Sequence, residues 1–109
     1  MEFIPAFLFL RIIDMILELA ILHIKQGQSE AFEKAFLQAA PFIQNNPGYL
    51  SHELQKCMES ADKYLLLVKW ESLEAHEEGF RKSANYGPWK KLLHHFYEPF
   101  PLVEHYELV

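Results

Sequence analysis

The chain lacks most of the signatures by which an enzyme announces itself. It has one cysteine, Cys57, and only four glycines, at positions 27, 48, 79 and 87. A lone thiol allows neither a disulfide framework nor a cysteine zinc site, and it points to a reducing compartment, the cytoplasm. Scattered glycines leave no phosphate-cradling loop, dinucleotide fingerprint or nucleophile elbow. No two histidines have the spacing of a dedicated metal site, so no metal is expected. Basic runs are also missing. Ten Lys and Arg stand against fifteen Asp and Glu, a net charge of −5. The one basic cluster, Lys90, Lys91, His94 and His95, reads as a solvated helix face. Nucleic-acid binding rests on clustered cations, so that class is excluded. Nor is there a membrane span. Residues 1–14 (MEFIPAFLFLRIID) are apolar, but Arg11, Asp14 and Glu18 interrupt the run before about 20 apolar residues accumulate. Glu2 where a basic region should stand, Pro5, and the want of a small-residue cleavage site argue against a secretory signal.

What is present is a globular composition with an excess of rings. Of 109 residues, 50% are apolar and 15% aromatic, including nine Phe, five Tyr and two Trp. That length suits one domain with a real core. So many rings in so small a domain imply a ligand cavity, a partner surface, or both. Met15 restarts immediately before a clean strand pattern. Residues 1–14 therefore read as an apolar extension or an alternative upstream start, and residues 15–109 as the domain.

Residues 16–25 (ILELAILHIK) read as a strand closed by Gln26-Gly27. Phe32, Phe36, Ala39 and Ile43 then recur at helical spacing, with Pro41 expected to bend the helix and Asn45-Asn46-Pro47-Gly48 to end it. Residues 49–58 alternate, and after a polar turn 63–71 (KYLLLVKWE) form the clearest strand, giving an antiparallel hairpin. A second helix follows Ser72, with Leu73, His76 or Glu77, Phe80 and Ala84 on its inner face. Pro88 suits the first position of a short third helix striped by Trp89, Leu92, Leu93 and Phe96. Residues 102–109 read as a last strand. The order is the split βαβ, ferredoxin-like α+β plan, an antiparallel sheet with helices on one face.

The first and third strands are apolar on both parities: Leu17, Leu19 and Ile21 alternate with Ala20, Leu22 and Ile24, and residues 64–68 are apolar throughout. A sheet with one wet face would alternate with polar residues. The other face is covered either by a second copy, making a homodimer, or by residues 1–14.

Residues 15 to about 106 resemble the antibiotic biosynthesis monooxygenase (ABM) family of dimeric α+β barrels. The likeness is carried by MILELAILHIKQGQ, the Phe32/Phe36 helix, NNPGYLSHEL, the stretch YLLLVKWESLEAHEEGFRKSANYGPWKKLLHHFY, and the Pro-x-Pro and VEHY that follow. A strand ending in Trp-Glu, a helix with a central His, and a Tyr/Phe-x-x-Trp segment recur in that family. The resemblance implies a pocket between sheet and helices for a flat aromatic molecule. In some members that molecule is a phenol or quinol, oxidised with molecular oxygen and no cofactor. The haem-degrading branch carries an Asn, a Trp and a His where this chain has Ala20, Phe80 or Gly79, and Trp89 or Lys90.

The expected function is thus a cofactor-independent monooxygenase on a small aromatic or quinol substrate. A non-catalytic ligand-binding or stress-related dimer is the alternative, and haem binding ranks third. His76, on the inner helix face, is the expected base; its bland counterpart is a half-buried core histidine. Phe36, Trp70, Phe80, Tyr86 and Trp89 are the expected ring-binding walls. His52 faces either the pocket or the dimer interface. His105 reads as an ordinary strand polar residue, His94 and His95 as surface, and Arg81 as an exposed side chain beside Phe80.

Overall fold

The protein is represented by a computed structural model that describes residues 15–109. The apolar segment 1–14 lies outside the described residues. Four strands, β1 (Ile16–His23), β2 (Tyr49–Lys56), β3 (Lys63–Trp70) and β4 (Val103–Glu107), form one antiparallel sheet in the order β2-β3-β1-β4. Two α-helices, α1 (Ser29–Gln44) and α2 (Tyr86–Leu93), cover one face; a π-helical turn, Ala75–Phe80, lies between β3 and α2, and a 3-10 turn, His94–Phe96, follows α2. This is the ferredoxin-like α+β plan.

Helix α1 follows its sequence periodicity: the four residues spaced along one face, Phe32, Phe36, Ala39 and Ile43, are the four it buries. It runs through Pro41 to Gln44, and Asn46 closes it by donating from Nδ2 to the carbonyls of Phe42 (2.6 Å) and Ile43 (3.1 Å). Those end carbonyls have no partner within the helix, so the buried amide supplies one. Gly48 follows with φ +87°, and a Cβ there would meet Ala75 Cβ at 2.5 Å. The turn before β2 thereby packs tightly against the π-helical turn.

The region between β3 and α2 departs from the expected regular helix. From Ala75 the chain winds as a π-helix, shown by the Arg81 N–H donating to the His76 carbonyl at 3.1 Å. The wider turn keeps His76 and Phe80 on one buried line but swings Leu73 to 38% exposure and leaves Ala84 exposed, so those two are not on the inner face. Pro88 is the third residue of α2 instead of the first, a position whose N–H would have no helical partner in any case. The last strand spans only Val103–Glu107.

Register assigns the sheet's two faces. Ala20 pairs with Leu66, Leu22 with Tyr64 and Glu18 with Val68, all toward the helices. His52 pairs with Val68 and touches the Phe36 ring, so it faces the helices and not the opposite side. The opposite face carries Leu17, Leu19, Leu65 and Leu67, half-buried, and Ile21, 43% exposed, with no element of the described chain over them.

Candidate functional site

The two halves of the helix-covered side differ. Around α1 the core is filled by Phe32, whose ring meets those of Phe36, Tyr64 and Phe96 at 6.1, 5.0 and 5.7 Å. Toward β4 and the π-helical turn it is hollow. A cavity of about 260 Å³ lies there, walled by Phe80, Tyr86, Trp89, Tyr97 and Phe100, floored by the small and aliphatic residues Ala20, Leu22, Leu66 and Val103, and closed by Glu18, His76, Arg81 and His94.

At its base is a buried polar chain. Glu18, on the helix-facing side of β1, is 6% exposed. Its Oε1 accepts the Trp70 indole N–H at 2.8 Å and lies 3.3 Å from His76 Nε2. His76 Nδ1 in turn is 2.7 Å from His105 Nε2, on β4. The strands set this up directly, because Glu18 is the register partner of His105 and neighbours Val68 on its other side. Trp70 stacks on His76 at 5.3 Å with 22° between planes, and on Phe80 at 5.8 Å with 30° between planes. Rotation of the His76 ring is therefore limited by stacking as well as by both nitrogens.

Burial sets the electrostatics. It pushes the Glu18 carboxyl above the ordinary range, partly offset by the Trp70 N–H and by the Arg81 guanidinium. It pushes His76 down to about 3, helped by Arg81 and His105. Both shifts have one meaning: ions are disfavoured at this spot, so the imidazole is neutral and the carboxyl holds its proton more readily than in water. His105 is also lowered by burial, with Glu77 pulling it up and Arg81 down. The Tyr97 phenol is raised by burial, then by Tyr86 and Glu18, and stays neutral. Arg81 is exposed on the cavity's edge, and among the described residues no carboxylate lies within ion-pair distance of it.

Of the residues expected from sequence, His76, Phe80, Tyr86 and Trp89 converge on the cavity. Trp70 and Phe36 do not line it. Trp70 is fully buried behind Glu18, holding the carboxylate, while Phe36 fills the solid half against Trp89 and His52. His105 is no ordinary strand residue, since it bonds His76. His94 is not a surface residue either: half-buried, it lines the cavity and meets the Tyr86 and Phe100 rings. Glu18 was missed altogether. A single acidic residue on the inward parity of an otherwise apolar strand was the available signal.

Residues 15–92 match the profile of the antibiotic biosynthesis monooxygenase family. The chain belongs to that family. It is 59% identical over 93 residues to the uncharacterised protein YczJ of Bacillus subtilis (strain 168), covering 85% of this chain and 98% of that one. The ABM fold is matched by a crystal structure from Bordetella bronchiseptica described as an antibiotic biosynthesis monooxygenase, with TM-score 0.83 and 31% identity over 88% of this chain and 98% of that one. SnoaB, a cofactor-independent oxygenase from Streptomyces nogalater, matches in fold with TM-score 0.71 at 19% identity, covering 88% and 92% of the two chains. A mycobilin-producing haem oxygenase of Mycobacterium tuberculosis is 30% identical over 67 residues, which are 62% of this chain and 59% of that protein.

The site is a poor match for haem. Both His76 nitrogens are engaged, by Glu18 and His105, leaving no lone pair for iron. A cavity of about 260 Å³ is also below the range of about 300–1,000 Å³ that holds drug-sized ligands, and a porphyrin is larger still.

Proposed function

We propose that this ABM protein is a cofactor-independent monooxygenase acting on a small hydroxylated aromatic, such as a quinol of one or two rings. The observation that carries the reading is the buried Glu18–His76 pair at the end of an aromatic-walled cavity. An electron-rich phenolate can itself reduce dioxygen, so the protein need only remove the phenolic proton, hold the ring and exclude water. Glu18 is the better acceptor of that proton. Burial raises its affinity for a proton, whereas His76 alone is held too low to keep one. His76 then acts by positioning the carboxylate and sharing its proton. Arg81, at the edge, balances the charge of the developing oxyanion. In balance, a quinol and dioxygen give a hydroxyquinone and water: one oxygen atom enters a ring C–H position, and the other leaves as water.

The second copy belongs to the same proposal. Leu17, Leu19, Ile21, Leu65 and Leu67 form an apolar sheet face that a homodimer would cover. Sedimentation of the full chain should give a dimer, and a monomer at micromolar concentration would remove this part of the reading. For the activity, oxygen uptake is followed with a panel of dihydroxy-aromatics. Consumption of one dioxygen per hydroxyquinone formed is expected. Saturable binding of the panel with no uptake would instead favour a ligand-binding dimer without chemistry.

A further inference from the structure

We propose that His105 is the proton outlet of the cavity: Glu18, His76 and His105 form a wire that carries the captured proton from the buried site to solvent at the edge of the sheet. The inference rests on the reading above, in that a phenolic ligand delivers the proton. Its basis is geometric. Glu18 and His76 line the cavity while His105 does not. His105 lies instead along a separate shallow depression on the outside, with Ile16, Leu73, Tyr106 and Glu107. Contacts of 3.3 and 2.7 Å join the two sides through the His76 ring. No polar side-chain atom buried in the described residues lacks a partner, so the chain has no gap a water must fill.

The phenolic proton taken by Glu18 leaves the buried site while the bound substrate is an anion, and the same path returns a proton when the second oxygen atom leaves as water, so the overall reaction releases none. The outward sequence uses each donor once. Glu18 Oε1–H passes to His76 Nε2, His76 Nδ1–H passes to His105 Nε2, and His105 Nδ1–H passes to water. Three N–H or O–H bonds break and three form, which leaves both rings in the opposite tautomer, and the inward passage of a proton when water forms reverses the three transfers and restores the starting state. The groups facing the wire fit this direction. Arg81, exposed at the cavity's edge, disfavours a cation on either ring, while Glu77 from the π-helical turn favours one at His105 only. Glu18 lies across the strand from His105, and Glu107 lies beside it in the outer depression. A proton is thus held least well in the middle and better at the outlet.

The test needs no turnover. Under anaerobic conditions 4-nitrophenol is mixed with the full chain, its absorbance reporting ionisation on binding and a pH dye reporting release to the medium. Wild type should release the proton as fast as the phenol ionises. His105→Ala should bind with unchanged affinity but release at least about tenfold more slowly at low buffer, and added imidazole should restore the rate. Equal release rates in the two proteins, or a slow release that imidazole does not restore, would overturn the wire. A second readout uses the ligand-free protein, so that weak binding of this probe decides nothing by itself. Histidine-selective nitrogen NMR should show His76 and His105 titrating as a coupled pair, with His105→Gln moving the His76 resonances. Two independently titrating rings would overturn the proposal. Absence of oxygen uptake alone would remove the oxygenase reading and leave these results untouched.

Discussion

The two halves of the core use the same residue types for different ends. Around Phe32 the rings meet tilted or edge to face and fill their volume. Between the sheet and the π-helical turn, similar rings also touch their neighbours, Phe80 meeting Tyr86 at 5.3 Å and Trp89 at 5.6 Å, but they line a void with an acid and a histidine at its base. Packing stabilises the first half. The second half gives up that stabilisation, buries an ionisable chain at a cost, and gains a place for a ligand. The comparison teaches that stability and chemistry are separable here, and that substitutions should sort cleanly by half.

The largest effect is expected in the solid half. Phe32→Ala should cost about 3–5 kcal/mol in denaturant unfolding, because a fully buried ring leaves a hole its aromatic neighbours cannot close. In the hollow half, Glu18→Gln should lower kcat/KM by about two decades or more, equivalent to about 2.7 kcal/mol, while shifting stability far less. The amide oxygen can still accept the Trp70 N–H, so the architecture survives while the base is lost. Equal loss of stability in both variants would break the comparison. Next comes Gly48→Ala, which should destabilise by about 1–3 kcal/mol through its positive φ and the collision with Ala75. Because Ala75 begins the turn that carries His76, that variant should also lower activity more than a surface substitution of equal stability cost.

The smallest effect is a pH dependence. His76 is lowered to about 3 in the folded chain, from an ordinary value near 6.5. Between those values the unfolded chain binds a proton that the folded chain refuses, so stability should fall as pH drops from about 6.5 toward 3. The raised Glu18 acts oppositely, its protonated folded form being favoured as pH falls through its folded pKa. His76→Gln should therefore flatten the acid loss measured by thermal unfolding, and Glu18→Gln should steepen it.

Much of the solid half was legible in the sequence, because it depends on period. The spacing of Phe32, Phe36, Ala39 and Ile43 predicts one buried helix face, and those are the residues buried. The sheet order follows from element order by the ferredoxin-like plan, and the family resemblance agrees with the matched profile. The hollow half was legible only in part. His76, Phe80, Tyr86 and Trp89 could be found because they lie close together in the chain. Glu18 and His105 could not, since their meeting with His76 depends on β1 pairing with β4 and on the register of both. The π-helical turn also escaped, because periodicity cannot distinguish i+4 from i+5 winding over six residues. Trp70 shows a further limit: an aromatic near a pocket serves it from behind, by holding Glu18.

The central claim, that the Glu18–His76 cavity oxidises a phenolic substrate with dioxygen alone, is tested most directly with isotopically heavy dioxygen. Wild type and Glu18→Gln are incubated with a quinol that binds both, and the products are weighed by mass spectrometry. The account predicts one heavy oxygen atom in the wild-type hydroxyquinone and little product from the variant. Unlabelled product, or equal labelled product from both proteins, would contradict it.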